Sequence, residues 1–139
     1  MRDVWNRSDL SAAEERVAPE LLAHFRGLTR KESPDSLRRM VANWRTAFPD
    51  LSHEIAALVA DGDMVALRIP FSGTHDGVFR FGNLTVQPTG KRVNVSEMLL
   101  LRFEGGKIAE VWDEFDVLGL LQQLGVAGGR SQIPSVSTA

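Results

Sequence analysis

The feature that most restricts this chain is a change of hydrophobic period at Pro49. Before it, Ser33-Pro34 reads as a hydroxyl N-cap with proline at the first helical position, and Leu37, Met40, Val41 and Trp44 follow at i, i+3, i+4 and i+7. That spacing makes one apolar stripe on a helix, which must stop near Phe48, because Pro49 drives its predecessor out of the helical region and Asp50 favours a turn. After Pro49, the stretch from His53 to Val59, the turn Asp61-Gly62-Asp63 and the stretch from Met64 to Ile69 read as an antiparallel hairpin. Pro70 to Gly82 is rich in glycine and aromatics and predicts a bent strand, broken around Gly73 and Gly77. Pro88-Thr89-Gly90 and Gly105-Gly106 are turns that bound a strand from Arg92 to Phe103 and a last strand from Lys107 to Trp112. Val117, Leu120, Leu121 and Leu124 return to helical spacing, and Gly125 is a C-cap.

Upstream of Ser33 the pattern also reads as helix. Ser11 and Glu14 match a capping box, and Pro19 suits the first turn of a second short helix carrying Leu21, Leu22, His24 and Phe25. Helices, then a meander of about four to six strands, then a short helix, define an α+β domain with helices on one face of a curved antiparallel sheet built from residues 53 to 113. Residues 1–126 form one domain and residues 127–139 a tail. The consecutive Leu99, Leu100 and Leu101 predict a strand covered on both faces, and so a homodimer that buries the outer face of the sheet.

Composition narrows the function classes. A chain of 139 residues, 43% hydrophobic, is long enough to bury one core without staples, and the absence of cysteine removes disulfides, thiolate metal sites and thiol nucleophiles. Sixteen Lys+Arg against eighteen Asp+Glu, with no basic run longer than Arg38-Arg39, gives nothing for a nucleic-acid backbone to grip. The apolar runs, Met98 to Leu101 among them, are far short of a membrane span, and the N-terminus lacks an apolar signal core; the expectation is a soluble, cytoplasmic protein. Three scattered histidines with no H-x-H or H-E-x-x-H spacing predict no metal site.

Six segments together resemble a known family. Trp44 to Leu51, Ala60 to Asp63, Gly73 to Gly77, Pro88 to Lys91, Gly106 to Trp112 and Asp116 to Gly125 are similar, in order and spacing, to the SnoaL-like polyketide cyclases, over residues 4–126. The resemblance implies the cone-shaped nuclear-transport-factor-2-like fold, with an apolar pocket inside a bent sheet. It further implies ring closure of a hydrophobic, polyketide-type substrate by intramolecular aldol condensation, with an aspartate as acid/base and no metal or cofactor. Because the same fold also carries cofactor-independent hydroxylases, epoxide hydrolases and ketosteroid isomerases, fold does not fix the reaction. Epoxide opening, hydroxylation and a non-catalytic ligand-binding dimer stand as alternatives.

Position alone leaves Asp116 as either the N-cap of the last helix or a group projecting into the cone. The resemblance, through Trp112 to Asp116 and the following Leu118 to Gly125, places the acid/base on Asp116. Asp113 is the second candidate, pointing away from Trp112 if the strand persists. His24 and His75 fall where the resemblance places polar pocket groups, and His75 is read as a donor to the enolate oxygen. His53 is assigned to the surface. Trp44, Trp112, Phe71, Phe79 and Phe81 are the expected aromatic walls. Val111 stands where many relatives have histidine, and Glu110, on the strand face of Trp112, is either a pocket acid or half of an ion pair.

Overall fold

The protein is seen in a computed structural model that describes residues 15–126. The Ser11–Glu14 capping box and the tail at 127–139 lie outside the described residues. Eleven strands and two helices follow in chain order: β1 (Val17–Phe25), β2 (Leu28–Glu32), α1 (Pro34–Ala47), β3 (Ser52–His53), β4 (Ala57–Asp61), β5 (Met64–Arg68), β6 (Phe71–Thr74), β7 (Phe79–Phe81), β8 (Leu84–Val86), β9 (Arg92–Val95), β10 (Glu97–Glu104), β11 (Lys107–Phe115) and α2 (Val117–Leu124).

Helix α1 begins and ends where the sequence places it. The Ser33 hydroxyl accepts the Ser36 N–H at 3.1 Å while the Ser36 hydroxyl accepts the Ser33 N–H at 2.8 Å, a capping box closed by serine rather than by glutamate. Phe48 is the C-cap. The Ala47 carbonyl at the helix end accepts the N–H groups of Asp76 and Gly77. Only glycine fits at 77, because a Cβ there would lie 1.9 Å from the Thr46 carbonyl oxygen.

The short helix expected from Pro19 is absent, and the segment is strand β1. Its partners override local propensity: β1 pairs with β2 through a two-residue turn at Arg26-Gly27 and runs parallel to β11 on its other side. The register against β11 is irregular between Val17 and Leu22, where Pro19 has no N–H to offer. The main sheet is therefore mixed, six strands in the order β2-β1-β11-β10-β5-β4, and it starts at residue 17 rather than 53.

Two chain segments pass from this sheet into a three-stranded one, β3-β6-β9. One turns at Pro70, between β5 and β6, and the other at Ser96, between β9 and β10. Ile69 and Glu97 exchange both backbone hydrogen bonds across that corner, at 2.9 and 3.2 Å, so the bend is paired rather than frayed. The core has two parts. Trp44, Phe48, Phe71 and Phe79 gather with Leu120 and Leu124 of α2, while Leu37 packs with Val17, Leu21, Leu67, Leu99, Leu101 and Ile108. Strand alternation puts Leu99 and Leu101 inside and leaves Met98 (54% exposed) and Leu100 (37%) on the outer face.

Candidate active site

A cavity of about 530 Å³ opens between the inner face of the main sheet and α1, drawing its walls from both parts of the core. This is the size of pocket that takes small organic ligands. Val17, Leu21, Leu99, Leu101, Ile108 and Val111 supply an aliphatic wall, and Trp44, Phe71, Phe81 and Phe115 an aromatic one.

Within these apolar walls lies one polar cluster. Glu97, Leu99 and Leu101 share the inward parity of β10, and Val111, Asp113 and Phe115 that of β11. Since Leu99 sits opposite Asp113 and Glu97 opposite Phe115, the two carboxyl groups are diagonal neighbours on one face, and their side chains hydrogen-bond. His53, at the end of β3, hydrogen-bonds through Nε2 to Glu97 Oε1. His53 and Glu97 are buried, and Asp113 Oδ1 is out of solvent with no hydrogen-bond partner among the described residues.

Burial governs the protonation of this trio. It pushes the His53 imidazole down to about 4, despite the nearby charge of Asp113, so the ring is neutral at pH 7. A neutral His53 then donates Nε2–H to Glu97. Burial also raises Glu97, and burial together with the hydrogen bond and charge of Glu97 lifts Asp113 to about 9. Two adjacent buried carboxyl groups cannot both ionise, so the pair keeps one proton at neutral pH and titrates as a unit. An acid and a base thus stand side by side between apolar walls.

The residues expected from sequence divide among this site and other places. Trp44, Phe71 and Asp113 line the cavity; His24 touches its edge, but its ring turns to the outer face, stacked on Trp112 with centroids 5.0 Å apart and paired with Glu110 at 2.6 Å. Glu110 also accepts from Arg102 Nε at 3.1 Å, so it is the ion-pair half of the two readings and Trp112 is outside the cavity. Phe79 is wholly buried in the aromatic core, behind the cavity wall. His75 is not at the cavity either: it is buried against Phe48 and Phe79, its Nδ1 accepting the Thr89 N–H at 3.2 Å. Asp116 is exposed and absent from the cavity wall; it caps α2, its Oδ1 accepting the Gly119 N–H at 2.8 Å.

His53 and Glu97 are the site residues that sequence reasoning missed. His53 is buried rather than superficial because it shares the inward direction of Leu51 and lands under β6, opposite Phe71. Glu97 carried a signal: a carboxylate on the same parity as Leu99 and Leu101, on the buried face of a strand, requires a partner.

Two helices against a large curved mixed sheet are the architecture of the nuclear-transport-factor-2-like class, and comparison with known proteins defines the family. The SnoaL-like polyketide cyclase profile matches residues 1–124, so the chain belongs to that family. It is similar to AclR of Streptomyces galilaeus, proposed to be a hydroxylase, with 34% identity and a TM-score of 0.75 over 97% of this chain and 80% of that one. A SnoaL-like polyketide cyclase of Agrobacterium tumefaciens shows 28% identity and a TM-score of 0.71 over 88% and 91% of the two chains. IdmH of Streptomyces antibioticus, proposed to be a polyketide cyclase, shows 27% identity and a TM-score of 0.74 over 90% and 93%. No curated protein matches the chain. No helix among the described residues is long and apolar enough to cross a membrane.

Proposed function

We propose that the chain is an enzyme that closes a ring in a hydrophobic polyketide-type substrate by intramolecular aldol condensation, with Asp113 rather than Asp116 as the acid/base. The observation that carries this reading is the desolvated Oδ1 of Asp113, with no donor on it among the described residues, on a carboxyl whose side chain shares a hydrogen bond with Glu97. In the reaction, Oδ1 takes a proton from a carbon flanked by carbonyls while the proton between the two carboxyl groups passes to Glu97. The enolate carbon then attacks a ketone carbon elsewhere in the folded substrate, forming the carbon–carbon bond. The new alkoxide takes the proton now on Oδ1, and Glu97 returns its own. His53 orients Glu97 throughout, and the apolar walls hold the substrate folded so that its two ends meet.

The similarity to AclR favours a second reading, hydroxylation, in which the same pair ionises the substrate, O₂ supplies the new oxygen, and a two-electron reductant from solution takes the other oxygen atom to water. Incubating the chain with an aromatic β-keto ester under ¹⁸O₂ and an added reductant, with chromatography and mass detection, separates the two: ring closure gives an isomer of unchanged mass, or one lighter by a water if the aldol then eliminates it, and hydroxylation gains labelled oxygen. Asp113→Asn is expected to lower turnover by at least about 100-fold. Retention of more than about a tenth of wild-type turnover removes Asp113 from the mechanism. The open outer face carrying Met98 and Leu100 supports the further proposal that the chain works as a homodimer closed over the sheet.

A further inference from the structure

The mouth of the cavity has a composition that ring closure does not explain. Every charged residue that is both exposed and on the cavity wall is an arginine: Arg26, Arg30, Arg39 and Arg80. They come from four separate places, the β1–β2 turn, β2, α1 and β7, and they converge only because the fold brings those elements to one opening. Among the described residues none of the four has a carboxylate partner, whereas Arg38, Arg92 and Arg102 are paired with Asp35, Asp50, and Glu104 and Glu110. Glu32, the acidic residue of the lining outside the Glu97–Asp113 pair, is half-buried and accepts the Ser36 hydroxyl.

Arg26 adds an independent sign. It is the only non-glycine residue among those described with a positive φ, 55°, in a turn where asparagine is the ordinary choice before Gly27. Its guanidinium lies 4.8 Å from the centre of the Phe81 ring, on the cavity wall, which holds the charge at the opening rather than in bulk solvent. A bulky side chain in an unfavourable backbone conformation, stacked in place at a cavity mouth, is the pattern of a ligand contact.

We propose that the cavity takes a substrate bearing an oxyanion, a carboxylate or a phosphate, whose charge is held at the mouth by these arginines while its apolar body reaches Asp113. Guanidinium forks match both anions bidentately. The arrangement fixes the direction of entry, uncharged reacting end first, since an anion driven toward the Glu97–Asp113 pair would meet its one negative charge between apolar walls. This inference rests on the small-molecule reading of the cavity.

The test uses three probes with one flat body: naphthalene-2-carboxylate, its methyl ester and 2-naphthyl phosphate, each titrated calorimetrically into the full chain at low salt. At least one anion is expected to bind about 10-fold or more tightly than the ester, and whichever gains more names the source of the charge. In Arg26→Asn and in the double variant Arg30→Gln/Arg39→Gln that advantage should shrink, below about 2-fold in the double variant, with ester affinity unchanged as the sign of an intact fold. An ester that binds as well as both anions overturns the inference and leaves the cavity reading standing, as does an advantage that survives in the double variant. If none of the three binds, the small-molecule reading itself fails and takes the inference with it.

Discussion

Replacing Asp113 by asparagine should stabilise the protein above neutral pH while it abolishes turnover. The ordinary carboxyl value is 3.8, and in the fold the group is lifted to about 9. A raised value means that the contribution to stability is full below the unfolded value and is lost as pH climbs toward the folded one. At pH 7 the folded chain keeps a proton that the unfolded chain has released over roughly three pH units, which at 1.36 kcal/mol per unit is about 4 kcal/mol against folding. Glu97 shares that proton, so half, about 2 kcal/mol, is assigned to Asp113. The amide of Asp113→Asn still donates to Glu97 and leaves an oxygen where Oδ1 stands, yet has nothing to titrate. Thermal unfolding from pH 5 to 9 is the assay. Wild type should lose stability across that range, and the variant should fall less, with a Tm at pH 8 about 5 °C or more above wild type. A variant that melts lower than wild type at pH 8, with a parallel pH profile, would show that Asp113 is ionised in the native state and would refute the shared proton.

Glu97→Gln removes the charge that helps raise Asp113, so the Asp113 carboxyl should titrate about one unit or more lower when followed by carbon NMR, and turnover should fall with loss of the proton relay; an unmoved titration would uncouple the pair. Asp116→Ala should cost about 1 kcal/mol in denaturant unfolding, as the loss of a helix cap does, and leave turnover within about 2-fold of wild type. Gly77→Ala should cost more than about 2 kcal/mol, because the new methyl would meet the Thr46 carbonyl at 1.9 Å; a silent substitution in the same unfolding assay would mean that the α1 end yields easily. Leu100→Arg should convert a dimer to a monomer in light scattering at micromolar concentration, and an unchanged mass would place any interface elsewhere.

The parts legible in the sequence are those settled by local chemistry. Ser33-Pro34 and Phe48-Pro49 bracket α1 because capping and proline sterics act within a few residues. Gly62, Gly105 and Gly125 mark their turns and cap through positive φ. Strand β1 was not legible, since Leu21, Leu22 and Phe25 suit a helix until β11 arrives from 86 residues away, as in the contact of His24 with Glu110. The site divides on the same line. Asp113 follows from parity along one strand, whereas His53 meets Glu97 only across 44 residues and a folded corner, and His75, polar and flanked by glycines, is consumed by Thr89 and the aromatic core. A signal at the scale of the whole strand existed for Glu97. For His53 the only local sign was its parity with Leu51, too short a run to fix the direction of a two-residue strand.

From Glu110 to Phe115 the pairing of β11 with β10 is unbroken, and each residue alternates between the two sides of a single sheet. Trp112 looks out and Asp113 looks in, one peptide apart. Adding or deleting one residue in that stretch would exchange them, setting an indole in the cavity and an acid in open water. The strand has a single place that accommodates an extra residue, the irregularity opposite Arg102 and Phe103 where Ala109 intervenes. Length variation among descendants of this sequence should therefore collect at Ala109 and in the turns, while the six positions from Glu110 to Phe115 change in kind but never in number.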